Sequence, residues 1–141
     1  MNDKYTTINK AGEFRVFLHR LLSENTELVE LFKTYINNEF EAVSTEAVDW
    51  HQYQFRIKKS NLKKKPNFTH SVDFYYNYID NAIYKFITDP TVQLAINGKL
   101  STTINAQNVG EAFDELRSRY LSCRYLYTIN TAPDNMVIIY I

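Results

Sequence analysis

Apolar residues recur along the first part of the chain at the spacing of helices, and further on at the spacing of strands. Phe14, Phe17, Leu18, Leu21 and Leu22 predict a short helix from about Gly12 to Ser23. Residues 1–11 before it are polar and expected to be flexible. Asn25 or Thr26 is placed to cap a second helix, whose apolar stripe is Leu28, Leu31, Phe32, Tyr35, Ile36 and Val43. So few residues join the two helices that an antiparallel or sharply bent pair is expected. From His51 the period becomes two: His51, Tyr53, Phe55 and Ile57 alternate with Gln52, Gln54, Arg56 and Lys58, the pattern of a half-buried strand. A basic loop over residues 60–68 leads to a third helix, capped by Ser71 and running to about Thr88. Its core face is Val72, Tyr76, Ile79, Ile83 and Phe86, and Pro90 closes it. Phe74 and Tyr78 lie off that stripe, so this helix is expected to be covered on both sides.

In the last third, two apolar runs, Val92–Ile96 and Leu100–Ile104, flank Asn97-Gly98 and predict a hairpin. A three-residue loop, Ile96-Asn97-Gly98, brings Val92, Leu94, Leu100 and Ile104 to one face, with Gly98 as the left-handed residue of a bulge. Asn108 and Glu111 have the spacing of a capping box. Val109, Ala112, Phe113, Leu116 and Tyr120 then form one helical face, and Glu115 is placed to pair with Arg119. Strands follow at Tyr125–Ile129 and Met136–Ile141, joined by a turn at Thr131–Asn135. The last run is almost wholly apolar, so it is expected in the middle of its sheet and covered on both faces.

The fold class is therefore α+β, in one domain over residues 1–141. Two N-terminal helices, a strand and a third helix precede a C-terminal ββαββ unit with a mainly antiparallel sheet. The predicted core includes Phe14, Leu18, Leu31, Phe55, Ile79, Ile83, Leu94, Phe113, Leu116, Val137 and Ile139. The ββαββ order resembles the β-grasp architecture, which would put the last strand parallel to Val92–Ile96. Carriers of that fold act through a C-terminal Gly-Gly, and this sequence ends in Ile139-Tyr140-Ile141, so the resemblance implies no carrier chemistry.

Charge changes the picture. The 16 Lys and Arg balance 16 Asp and Glu, but unevenly along the chain. Arg56, Lys58, Lys59, Lys63, Lys64 and Lys65 put six cations and no acid into ten residues. Residues 24–49 carry seven acids against Lys33 alone. A local basic segment in a neutral chain points to a local site for an acidic partner. Trp50 falls on the polar face of the predicted strand, beside Arg56 and Lys58, and would flank such a contact. The plainer reading is a solvated loop whose lysines maintain solubility or face the acidic second helix, within one molecule or between two.

Signatures of catalysis are missing. The three glycines are too scattered for a phosphate-cradling loop. His19, His51 and His70 have no metal-ligand spacing, and a single cysteine, Cys123, forms neither an internal disulfide nor a cysteine cluster. That cysteine usage, with no apolar leader and no apolar stretch of spanning length, predicts a cytoplasmic, reducing location away from membranes. No cofactor is indicated.

The leading expectation is a non-enzymatic binding protein whose Arg56–Lys65 segment contacts an acidic macromolecule, nucleic acid or protein. A second is a structural or assembly protein, or an inhibitor of a host protein, from a virus or mobile element. The abundance of Asn, Lys, Ile, Tyr and Phe is that of an AT-rich coding sequence, and self-association belongs to this reading. A third is a small enzyme using His70 or Cys123.

Overall fold

The computed structural model describes residues 3–48, 53–61, 72–99, 104–118, 126–131 and 135–141. Among them lie helices α1 (Asp3–Glu24), α2 (Glu27–Phe40), α3 (Val72–Ile87), α4 (Pro90–Lys99) and α5 (Val109–Ser118). Strands β1 (Glu46–Ala47), β2 (Gln54–Lys58), β3 (Thr128–Asn130) and β4 (Met136–Tyr140) form a four-stranded sheet in the order β1-β2-β4-β3. Every neighbouring pair is antiparallel. The α+β class and the antiparallel sheet follow the sequence pattern, and β4 lies inside the sheet as its apolar run predicts.

The helices cover one face of that sheet. Phe32 of α2 is wedged between Phe55 of β2, with ring centroids 5.2 Å apart, and Phe86 of α3, stacked at 4.7 Å. Phe14 of α1 packs on Phe113 of α5 at 5.5 Å. Farther along α2, Phe40 meets Tyr75 and Tyr78 of α3, so Tyr78 is half-buried as expected for a helix covered on two sides. The side chain of Phe74 lies outside the described residues. Each fully buried side chain of this size contributes roughly 1.5–3 kcal/mol relative to exposure. Gly110 lets α5 approach α3 closely, because a Cβ there would lie 3.3 Å from Thr88 Cγ2.

Several boundaries differ from the pattern-based expectation. Helix α1 begins at Asp3 rather than about Gly12, so the polar stretch before Ala11 is helical. Thr26 occupies the cap of α2 in a helical conformation without a side-chain hydrogen bond. Asn25 instead donates from Nδ2 to the Leu21 carbonyl at 3.0 Å, closing α1. Helix α2 stops at Glu41, whose φ of 50° is left-handed, so Val43 is 68% exposed instead of completing the stripe. Leu31 is half-buried at the edge of the core.

The largest correction concerns residues 90–99, which form α4 and not the first strand of a hairpin. Asp89 and Pro90 decide it. Asp89 Oδ1 accepts from the Thr91 amide at 2.8 Å, and Pro90 stands where a helix needs no amide donor. Val92 and Ile96, four apart, are buried, while Leu94 is 74% exposed and leaves the predicted core. Of the second hairpin run, Leu100–Ile104, residues 100–103 lie outside the described residues and Ile104 is a buried bend residue. The C-terminal unit is thus ααββ among the described residues, and the last strand has no parallel partner there, so the β-grasp resemblance does not hold. Ahead of α5, Asn108 Oδ1 accepts from the Asn105 amide at 2.8 Å and Asn105 Oδ1 from the Gln107 amide at 2.9 Å, replacing the capping box by a reciprocal asparagine turn. Asp114 pairs with Arg117 on α5, and Arg119 lies outside the described residues.

Candidate functional site

The alternation in β2 divides its side chains between two environments. Tyr53, Phe55 and Ile57 are buried against the helices, while Arg56 and Lys58 are exposed and Gln54 half-buried on the opposite face. Register extends that outer face across the sheet. Gln54 stands opposite Tyr140, Arg56 opposite Ile138 and Lys58 opposite Met136. On the far side of β4, Thr128 stands opposite Tyr140 and Asn130 opposite Ile138. Arg56 also faces Glu46 of the short strand β1. The outer face therefore carries exposed cations along β2, a half-buried tyrosine on β4 and polar side chains to either side.

Arg56 and Lys58 form no ion pair with an acid among the described residues, whereas Glu24 at the end of α1 and two of the three acids of α2 are engaged. Glu24 pairs with Arg20 at 3.2 Å, Glu30 with Lys33 at 3.1 Å, and Glu39 with Lys85 of α3. Three of the seven acids in the run that looks unbalanced in sequence are thus paired with cations one helical turn away or on a neighbouring helix. That leaves the run less charge to offer a second molecule.

Lys59 departs from the basic segment. It starts a single 3-10 turn, Lys59–Asn61, and its Nζ donates to the Thr131 carbonyl at 3.0 Å. Its amide donates to the Asn135 carbonyl, also at 3.0 Å, so Lys59 ties the end of β2 to the β3–β4 connection. Trp50, Lys63, Lys64 and Lys65 lie outside the described residues, as do His51, His70 and Cys123. Tyr140 is the residue that pattern reading misses. A continuous apolar run hides the period of two that sends Met136, Ile138 and Tyr140 outward and Val137 and Ile139 inward.

His19 does structural work. Its Nε2 lies 2.6 Å from the Ile141 carbonyl oxygen, so the tautomer protonated there donates to the end of β4, and its ring packs on Tyr53. Among the described residues no three His, Cys, Asp or Glu side chains converge as a metal site, and no helix is long and apolar enough to cross a membrane.

A polar cleft of about 610 Å³ lies between α3 and α5, lined by Asn77, Asp80, Asn81, Asp114, Arg117 and Ser118. Its charges are spent within the fold. Asp80 accepts from the Tyr127 hydroxyl, Asp114 Oδ1 lies 2.7 Å from Arg117 Nη2, and the Arg117 guanidinium sits 4.8 Å over the Tyr84 ring. Asp80 and Arg117 are thus engaged within the fold, while Asp114 Oδ1 is buried in its ion pair with Arg117 and has no hydrogen bond among the described residues.

Comparison with protein-family models, with curated proteins and with solved structures gives no match.

Proposed function

We propose that this is a non-enzymatic binding protein that contacts an acidic macromolecule through the outer face of β2 and the basic segment that continues from it. The observation that carries the reading is the pair Arg56 and Lys58, exposed on one sheet face and unpaired by acids among the described residues. Two rises of roughly 3.4 Å separate them along the strand, close enough to engage one polyanion together. Lys63, Lys64 and Lys65 follow in sequence and extend the charge, and Trp50 precedes the strand. Lys59 is assigned to holding β2 in place. The pairing of Glu24, Glu30 and Glu39 within the fold supports a foreign acidic partner over head-to-tail assembly of this chain.

The test is binding to a labelled polyanion at two salt concentrations, comparing the wild-type chain with Arg56→Glu/Lys58→Glu and with Lys63→Glu/Lys64→Glu/Lys65→Glu. Affinity that falls steeply with salt and collapses in both variants supports the reading. Unchanged affinity in folded variants removes it.

A further inference from the structure

We infer that the acidic partner is single-stranded nucleic acid, laid across the outer sheet face with a base stacked on Tyr140. This rests on the acidic-partner reading above and adds the identity of the polyanion. A polyanion alone needs only cations, and the face offers more. Tyr140 stands on an inner strand, half-buried, with Gln54 on one side and Thr128 on the other. An aromatic ring so placed is a platform for one base, and the flanking amide and hydroxyl are donors and acceptors at the height of a base edge. Arg56 lies diagonally across from Tyr140, roughly 7–8 Å away at the backbone, within reach of the phosphate next to a stacked base. Lys58 continues the cationic line along β2. A duplex keeps its bases stacked on one another and presents no free π-face, so this arrangement favours unpaired strands. An acidic protein surface would use the cations but leave the ring without a counterpart.

The experiment is fluorescence anisotropy of the full chain at roughly 50 and 200 mM salt. The probes are a labelled oligo-dT of about a dozen nucleotides, an abasic strand of the same length and charge, a duplex, and polyglutamate. The expected result is a Kd for oligo-dT about five-fold or more below that for the abasic strand. Tyr140→Leu loses that margin while keeping its affinity for the abasic strand, and Tyr140→Phe retains the margin. Arg56→Glu/Lys58→Glu weakens both strands and flattens the salt dependence. Equal binding of oligo-dT and the abasic strand overturns the inference and leaves the acidic-partner reading standing. So does oligo-dT binding that a normally melting Tyr140→Leu leaves unchanged. Preference for the duplex or for polyglutamate overturns it in favour of that partner. No binding to any probe at low salt overturns both readings. Should Tyr140→Leu melt early, the wild-type comparison of oligo-dT with the abasic strand decides.

Discussion

The Tyr35 hydroxyl donates to Asp89 Oδ2, linking the middle of α2 to the residue that caps α4. The hydrogen bond to Asp89, then burial, then the nearby negative charge push the Tyr35 hydroxyl up to about 12. In return Tyr35, followed by the Thr91 and Val92 contacts, holds the Asp89 carboxyl below its ordinary range against the effect of burial. Tyr35 is favoured protonated in the fold, so its contribution is complete below about pH 10 and is lost as pH rises through about 12. Asp89 is favoured ionised, so its contribution is present above its ordinary pKa and is lost as pH falls through the lowered one. Tyr35→Phe is expected to cost about 1 kcal/mol at neutral pH, below the roughly 1.5–3 kcal/mol of a hydrogen bond to a charged group because the contact is only part-buried. Its stability should also fall less than the wild type's towards both extremes. Urea titrations at acid, neutral and strongly alkaline pH check this; parallel wild-type and variant pH profiles would disprove the assignment.

Gly12 stands on the exposed side of α1, where a Cβ would have nothing within 4 Å. Gly12→Ala therefore adds helix propensity without crowding, for an expected gain of roughly 0.5–1 kcal/mol and a melting temperature a few degrees higher. Thermal melting followed by circular dichroism measures it. Because the residue lies well inside α1, the same variant tests whether the helix runs back to Asp3: a helix starting at Gly12 would gain little.

Glu41 closes α2 with a φ of 50°, while the amides of Glu41 and Ala42 reach the Asn38 and Asn37 carbonyls at 3.3 and 2.8 Å. Glycine tolerates that left-handed geometry and glutamate pays a steric penalty for it. Glu41→Gly should stabilise the fold by about 0.5–1 kcal/mol, read as a higher urea midpoint with an unchanged slope. Glu41 is also one cause, after burial, of the raised pKa of Tyr78, so the Tyr78 hydroxyl should titrate lower in the variant.

Legibility in the sequence follows how many environments an element has. In β2, Phe55 and Ile57 face the helices while Arg56 and Lys58 face out, and a period of two writes that division into the residues. In β4 both sides of the strand are flanked by neighbours, so Ile138 is buried even on the outer face, between Arg56 and Asn130. The apolar run then reveals an inner strand but conceals that Tyr140 faces out. In α4 the apolar residues fit two periods at once, since Val92 and Ile96 are four apart and Val92, Leu94 and Ile96 alternate. Asp89-Pro90 alone distinguishes them, as a helix start. The charge imbalance over residues 24–49 is read from the string, and the fold offsets part of it by pairing Glu24, Glu30 and Glu39 with Arg20, Lys33 and Lys85.

Phe32 tests how far the sheet and α3 depend on α2. It is fully buried and touches Phe55 and Phe86, so Phe32→Ala leaves a cavity where the three elements meet. The expected cost is about 3–5 kcal/mol. Phe32→Leu, which refills most of the space, should recover more than half of it in equilibrium urea unfolding.

Tyr53 gives the opposite expectation from an equally buried ring. Its side chain is 2% exposed, its hydroxyl has no hydrogen-bond partner among the described residues, and burial raises its pKa. The ring packs on His19 and Phe55, and the backbone carbonyl accepts from the Ile141 amide at 2.9 Å, so neither anchor needs the hydroxyl. Tyr53→Phe keeps ring and backbone and removes only an oxygen whose burial opposes folding. Stability at neutral pH should stay level or rise by up to about 1 kcal/mol. The raised pKa means that the wild-type contribution is complete below about pH 10 and lost above it, so the variant should also resist alkali better. Urea midpoints at pH 7 and at strongly alkaline pH measure both effects. A variant that is less stable by more than about 1 kcal/mol at neutral pH would show that the hydroxyl is bonded in solution, and would make it an anchor of the β2–β4 end of the sheet.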